Sequence, residues 1–311
     1  MSGAGVTLAG LSGEVHRFSH AAMATVFEIV CEHPDPQYAR QAAWAAFDLT
    51  SRLEQELSRF IENSDISRIN ALAPGQTALV SRWTMECLQL ARQAWTETSG
   101  AFDISLGSGL QTLDLDPQRL TVRANAGGVR IDLGGIGKGY AVDRMAEVLQ
   151  EWDIHQALIH GGYSSVLALK APPGCEGWPL TMSVREEASS TPFALIHARQ
   201  RALSASGTRK GEHIIDPRTG QPVRSRPAAW ASADVTALTE FCGKAGGLGG
   251  AAVNESPAAV AEVFSTAFLV LEPEEIAACC GKYPGLEAWI QEDGPGGKPS
   301  IRHFPARQLV L

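Results

Sequence analysis

The residues with the most chemistry in them lie between Arg130 and Asp143, reading R-I-D-L-G-G-I-G-K-G-Y-A-V-D. Apolar residues lead up to Asp132, then Gly134, Gly135, Gly137 and Gly139 follow with Lys138 among them, and a helical pattern begins at Tyr140. That order predicts a strand, a bare-backbone turn and a helix start. Glycine lets main-chain N–H groups approach a ligand with no Cβ between them, and a helix N-terminus favours negative charge. The stretch therefore reads as a seat for a phosphate-bearing ligand. Two familiar phosphate loops do not match it. A P-loop needs G-x-x-x-x-G-K and then Ser or Thr, whereas Lys138 is followed by Gly139 and preceded, at the first glycine position, by Asp132. A dinucleotide fingerprint needs G-x-G-x-x-G with an acid about 20 residues on; here the glycines alternate, and the next strand runs into His160, Gly161 and Gly162. On these residues alone a tight turn with a solvated lysine stays open.

The elements that must carry this turn can be read on either side of it. His16 to Cys31 alternates as a strand with Met23, Ala24 and Thr25 at its centre. Asp35 and Pro36 form a cap and first helical position, followed by Tyr38, Ala42, Ala45, Leu49, Leu53 and Leu57 at helical spacing. A second helix spans about Arg82 to Thr98, and a third carries Val142, Met145, Val148 and Leu149. Strands are expected at Gln156 to Ile159, Val166 to Leu169, Leu180 to Val184, Phe193 to His197 and Ala231 to Thr236. Ser256 is expected to cap a last long helix that Pro257 opens, with a closing hairpin over Leu286 to Ile290 and Ile301 to Phe304. The glycine-rich run Gly243 to Gly250 is either a surface excursion or a second ligand loop.

A chain of 311 residues with 44% hydrophobic and 19% charged residues is an ordinary globular protein. A net charge of −8 argues against a nucleic-acid surface, and no apolar run is long enough to span a bilayer. The first residues lack a basic region and a continuous apolar core, so a cytoplasmic location is expected. Residues 1–15 read as a flexible N-terminus and 16–311 as one domain. The six cysteines have neither zinc-site nor disulfide-framework spacing, and Cys279 and Cys280 are expected to flank a helix.

The central stretch resembles the hallmark D-L-G-G-x-x-K-G-Y-x-x-D of the ApbE-type flavin transferases: Asp132, Leu133, Gly134, Gly135, Lys138, Gly139, Tyr140 and Asp143 fit it. Other pieces similar to the family follow in order. Met23-Ala24-Thr25 is similar to a Met-Gly-Thr turn, Leu57 to Asn70 to a segment ending in Leu-Asn, and Gly100 to Asp103 to G-A-F-D. Ser206, Gly207, His213, Asp216, Pro217, Arg218, Thr219 and Gly220 match a second signature, S-G followed by H-I-I-D-P-R-T-G. The helix around Glu262 and Thr266 resembles A-D-A-L-x-T-A-L-F-V-L with glutamate in place of aspartate. Two further departures are Tyr163, where the family has an acid or amide, and a short crossing between Gly100 and Asp132.

The resemblance implies an α+β fold, helices packed on mixed or antiparallel sheets in two entwined subdomains. It implies transfer of FMN from FAD to a Ser or Thr hydroxyl of an acceptor flavoprotein, dependent on Mg2+ and releasing AMP. His213 would be the general base and Lys138 would add charge at the phosphate. FAD would contact Met23, Ala24, Thr25, Asp132, Gly134, Gly135, Lys138, Gly161, Gly162, Ser206, Gly207, His213, Ile214 and Arg218. Glu262 and Thr266, four apart on one helix face, would bind the metal with a main-chain carbonyl, assigned to Gly137. Two alternatives stand beside this reading: an FAD pyrophosphatase with water as acceptor, and a degenerate flavin-binding or scaffold relative.

Overall fold

The computed structural model describes residues 14–183, 192–208, 214–223, 226–234, 241, 256–294 and 299–306. His213 and the run 242–250 lie outside the described residues. An eight-stranded sheet runs through the molecule in the order β1 (Val15–Ala22), β2 (Thr25–Glu32), β6 (Ala157–Gly161), β7 (Ser165–Ala168), β10 (Arg201–Gly207), β13 (Ala228–Asp234), β14 (Glu287–Asp293) and β15 (Pro299–Phe304). Every pairing in it is antiparallel, so the sheet is not mixed.

Side chains of a strand alternate between faces, and here both faces are covered. Phe27, Ile29 and Cys31 of β2 join the core under the helices α1 (Pro36–Leu57), α4 (Gly137–Glu151) and α5 (Pro257–Val270). Val30 of the same strand, with Leu158, Val166 and Ala168, faces a hairpin made by β8 (Trp178–Ser183) and β9 (Pro192–Ala198), whose Trp178, Leu180 and Met182 close a second core. A three-stranded sheet, β3 (Thr77–Leu79), β5 (Thr121–Ala124) and β4 (Leu113–Asp116), accompanies α2 (Asp65–Asn70) and α3 (Arg82–Glu97). A small hairpin of β11 (Ile215–Asp216) and β12 (Gln221–Pro222) and the helix α6 (Pro273–Lys282) complete the described chain.

Several local expectations change. The stretch from His16 to Cys31 is two strands joined at Met23 and Ala24, with φ of 49° and 56°. Two successive left-handed residues make the tight hairpin turn whose twist suits paired strands. Alternation continues through that turn, so it hides the reversal. No strand immediately precedes the glycine turn: residues 128–133 have no regular secondary structure, and α4 starts at Gly137, one turn earlier than expected. Ser256 holds the N-cap position of α5 without a side-chain cap. Asp143 of α4 supplies the cap instead, its two oxygens accepting from Ala258 N and Ala259 N at 2.9 Å each. Cys279 and Cys280 sit inside α6 as free, buried thiols rather than flanking it. No helix among the described residues is long and apolar enough to cross a membrane.

Candidate functional site

The turn at Gly134 is positioned by a side chain that takes the place of a missing strand. Asn70, at the end of α2, accepts from Ile131 N through Oδ1 at 2.7 Å and donates from Nδ2 to Ile131 O at 2.9 Å. Asp132 N donates to Ile104 O at 2.8 Å, which holds the next residue in line. Asp132 then turns the chain, accepting from Gly134 N at 2.9 Å, while Arg59 pairs with its other oxygen at 2.9 Å.

Helix α4 leaves the turn and crosses α5 at Gly139. A Cβ there would stand 2.3 Å from Ala258 O, so only glycine permits the approach. The close crossing brings Glu262, in the middle of α5, onto the start of α4. Glu262 is 3% exposed; its Oε2 accepts from Gly139 N at 2.6 Å and its Oε1 is paired with Lys138 Nζ. Lys138 Nζ also lies 3.3 Å from Gly134 O. One turn further along α5, Thr266 Oγ1 donates to Glu262 O at 3.0 Å and lies 3.1 Å from Ser206 Oγ of β10. Ser206 Oγ is also 2.9 Å from Ser265 Oγ.

These groups open onto one cleft of about 940 Å³. Asp132, Gly134, Gly135, Lys138, Ser206, Gly207, Ile214, Glu262 and Thr266 all line it, so the structure brings together nine residues singled out in three distant sequence segments. Its floor continues along the outer face of the sheet, past Val166, Leu203 and Trp230, beneath Leu180 and Met182 of the β8–β9 hairpin. Strand β10 makes this opening: Arg201 to Ser204 pair with β7, while Ser206 and Gly207 run on beyond it. The short crossing after Gly100 still furnishes wall, since Phe102, Asp103, Ile104 and Leu106 line the cleft. Asp103 shapes that wall by accepting from Ser105 N at 2.7 Å and Gly107 N at 3.0 Å.

Other expected residues stand off from the cleft lining. Met23, Ala24 and Thr25 form the β1–β2 turn, which meets the β6–β7 turn at Gly162: a Cβ on Gly162 would stand 2.5 Å from Thr25 Oγ1. Gly162 therefore serves close packing between two turns, and Gly161 close packing of β6 against α4, where a Cβ would stand 2.9 Å from Val142 Cγ2. Gly137 is buried at the first position of α4, and the carbonyl beside Lys138 is that of Gly134. Arg218 is not among the cleft-lining residues; its guanidinium bonds Asp216 at 3.1 Å and Val270 O at 3.3 Å. Arg226 binds the same helix end, donating to Phe268 O and to Leu271 O at 2.6 Å. Both arginines thus satisfy carbonyls that the C-terminus of α5 leaves open.

Sequence reading missed Arg59 and His160. Arg59 sits at the cleft beside Asp132, stacked 4.4 Å over the Phe60 ring, and nothing in its spacing marks it. His160 lines the cleft at the end of β6, and burial pushes its imidazole down from 6.5 to about 4, so the ring is neutral there.

Among the described residues no three His, Cys, Asp or Glu side chains converge as a metal cluster. A magnesium ion needs fewer protein ligands than that, because it keeps waters and takes substrate phosphate oxygens. The Glu262 carboxylate and the Gly134 carbonyl meet at Lys138, the Thr266 hydroxyl lies one turn along α5 at the same cleft, and the chemistry of these hard oxygen donors fits such an ion.

The family model described as the ApbE family matches residues 23–252. A protein of Buchnera aphidicola named FAD:protein FMN transferase is 22% identical over 210 residues, covering 55% of this chain and 61% of its own length. One of the same name from Klebsiella pneumoniae is 24% identical over 275 residues, covering 71% and 77%. The solved flavin transferase ApbE from Vibrio cholerae superposes with a TM-score of 0.76 at 18% identity, covering 94% of this chain and 97% of its own.

Proposed function

Because this chain belongs to the ApbE family, we propose that it transfers FMN from FAD to a Ser or Thr hydroxyl of an acceptor protein, with Mg2+ bound and AMP released. What carries the reading is the convergence of the Gly134–Lys138 turn with Glu262 and Thr266 of α5 at one cleft. The acceptor hydroxyl oxygen forms a bond to the flavin-side phosphorus, the bridging P–O bond breaks, and AMP leaves with the bridging oxygen. The hydroxyl proton passes to His213, whose neighbour in sequence, Ile214, lines the cleft.

Main-chain groups of the turn and the Lys138 ammonium hold the phosphates. Glu262, Thr266 and the Gly134 carbonyl would hold the metal, which supplies positive charge to the phosphate oxygens and the departing AMP. The long apolar floor beneath the β8–β9 hairpin supports a ring-bearing ligand, since such slots bury flat heteroaromatic groups.

The test is incubation of the purified protein with FAD, Mg2+ and an extract of proteins from the source cell. The expected result is AMP in solution and a protein band that keeps flavin fluorescence in a denaturing gel, both lost in His213→Ala. AMP and free FMN with no labelled band would favour the pyrophosphatase reading instead. No FAD binding at all would leave a degenerate relative.

A further inference from the structure

The Glu262 carboxylate is almost completely buried, and a buried charge persists only when it is paired and hydrogen-bonded. Its two partners differ in kind. Gly139 N, on Oε2, belongs to the main chain at a helix crossing too close to admit even a Cβ. Lys138 Nζ, on Oε1, ends a flexible four-carbon stem that is about a quarter exposed and opens to the cleft. One partner is fixed and the other can be withdrawn. The ammonium that covers this oxygen also touches Gly134 O, so it sits between two hard donors of the metal seat.

We propose that Lys138 is the resting counter-ion of this cation seat: its ammonium occupies Glu262 Oε1 while no divalent ion is bound, and a divalent ion must displace it. The displaced ammonium is then free for an anionic oxygen of the ligand. An ammonium and a divalent cation on one carboxylate oxygen repel each other, so the two are alternatives. The seat is therefore weak for metal until a phosphate-bearing ligand gives the lysine somewhere else to bind. By linkage, metal then strengthens the ligand by the same factor as ligand strengthens the metal. This inference rests on the proposed reading for the identity of the ligand, but the competition itself needs only the metal.

Two calorimetric titrations test it. The first adds Mg2+ to the protein without FAD, for wild type, Lys138→Met and Lys138→Arg. With the ammonium gone, Lys138→Met should bind Mg2+ at least about tenfold more tightly than wild type, while Lys138→Arg, which keeps the charge, should not. Equal or weaker Mg2+ binding by a folded Lys138→Met would overturn the proposal, since a merely structural lysine would lower affinity when removed. The second keeps the wild-type chain, so that a variant that fails to fold does not decide the matter. FAD affinity is measured across Mg2+ concentrations, and a mutual enhancement of roughly tenfold is expected, within the usual range of coupling between sites. FAD binding that is independent of Mg2+ would overturn the displacement, whereas no FAD binding at all would sink the FMN-transfer reading while the first titration still reports on Lys138.

Discussion

Asn70 holds Ile131 by both of its main-chain polar groups, across 61 positions of sequence, with hydrogen bonds of 2.7 and 2.9 Å. A carboxamide carries one acceptor and one donor group at the spacing of a peptide unit, so it can stand in for a neighbouring strand. The glycine turn begins three residues later, at Gly134, and inherits its direction from this pair. Asn70→Ala would leave Ile131 N and O without partners in a buried place, costing about 1–3 kcal/mol. Asn70→Asp should do no better, because it keeps the acceptor but sets a carboxylate against a carbonyl. Urea unfolding measures the first effect, and FAD affinity measured on the folded fraction reads the loosened turn.

Gly139→Ala would set a Cβ 2.3 Å from Ala258 O and 2.8 Å from Ala259 Cα, both backbone atoms of α5. The helices must part, at a cost of about 1–3 kcal/mol or more, and Glu262 parts from Gly139 N with them. Gly281 of α6 is the control: nothing lies within 4 Å of its Cβ position and it is helical. Gly281→Ala should stabilise by about 0.5–1 kcal/mol. Thermal melts of the two variants should move in opposite directions.

The two arginines at the end of α5 should separate stability from local order. Arg226→Met removes a buried guanidinium from two carbonyls and should cost about 2–3 kcal/mol in chemical denaturation. Arg218 is more exposed, and Arg218→Ala should cost under about 1 kcal/mol. Its effect should show instead as faster amide exchange over 215–222, the hairpin that follows His213.

His160 predicts a pH dependence. Burial holds its folded-state value near 4 against 6.5 ordinarily, with Glu28 opposing that fall and Arg17 adding to it. Below pH 6.5 the unfolded chain takes up a proton that the folded chain refuses, so the unfolding free energy drops as pH falls from about 6.5 to about 4. The full loss is on the order of 3 kcal/mol. His160→Leu should flatten that part of the profile and leave the rest; an unchanged slope would show that the ring is hydrated in the folded state.

How much of this was legible in the sequence depended on how local its cause was. The Asp35 cap of α1 and the helical phase of Glu262 and Thr266 follow from neighbours a few residues apart, and the structure places them as read; the turn at Gly134 is there too, though without its strand and with α4 starting earlier. The antiparallel closing hairpin was equally plain. What stayed hidden comes from long-range pairs. Lys138 and Glu262 are 124 residues apart, and neither spacing nor composition marks them as partners. Asp143 capping α5 replaced the nearer and more ordinary Ser256 for the same reason. At Met23 and Ala24 the obstacle was different: a left-handed turn without glycine or asparagine carries no compositional signal.

Helix α5 is gripped at its first turn by Asp143 and at its last by Arg218 and Arg226, with Glu262 and Thr266 between. A single residue gained or lost within those 14 would turn everything beyond it by about 100°. Either the grips or the two oxygen-bearing side chains would then face the wrong way. The segment should therefore tolerate exchanges of side chain far better than changes of length, and related chains should differ in length before Ser256 and after Leu271 rather than between them.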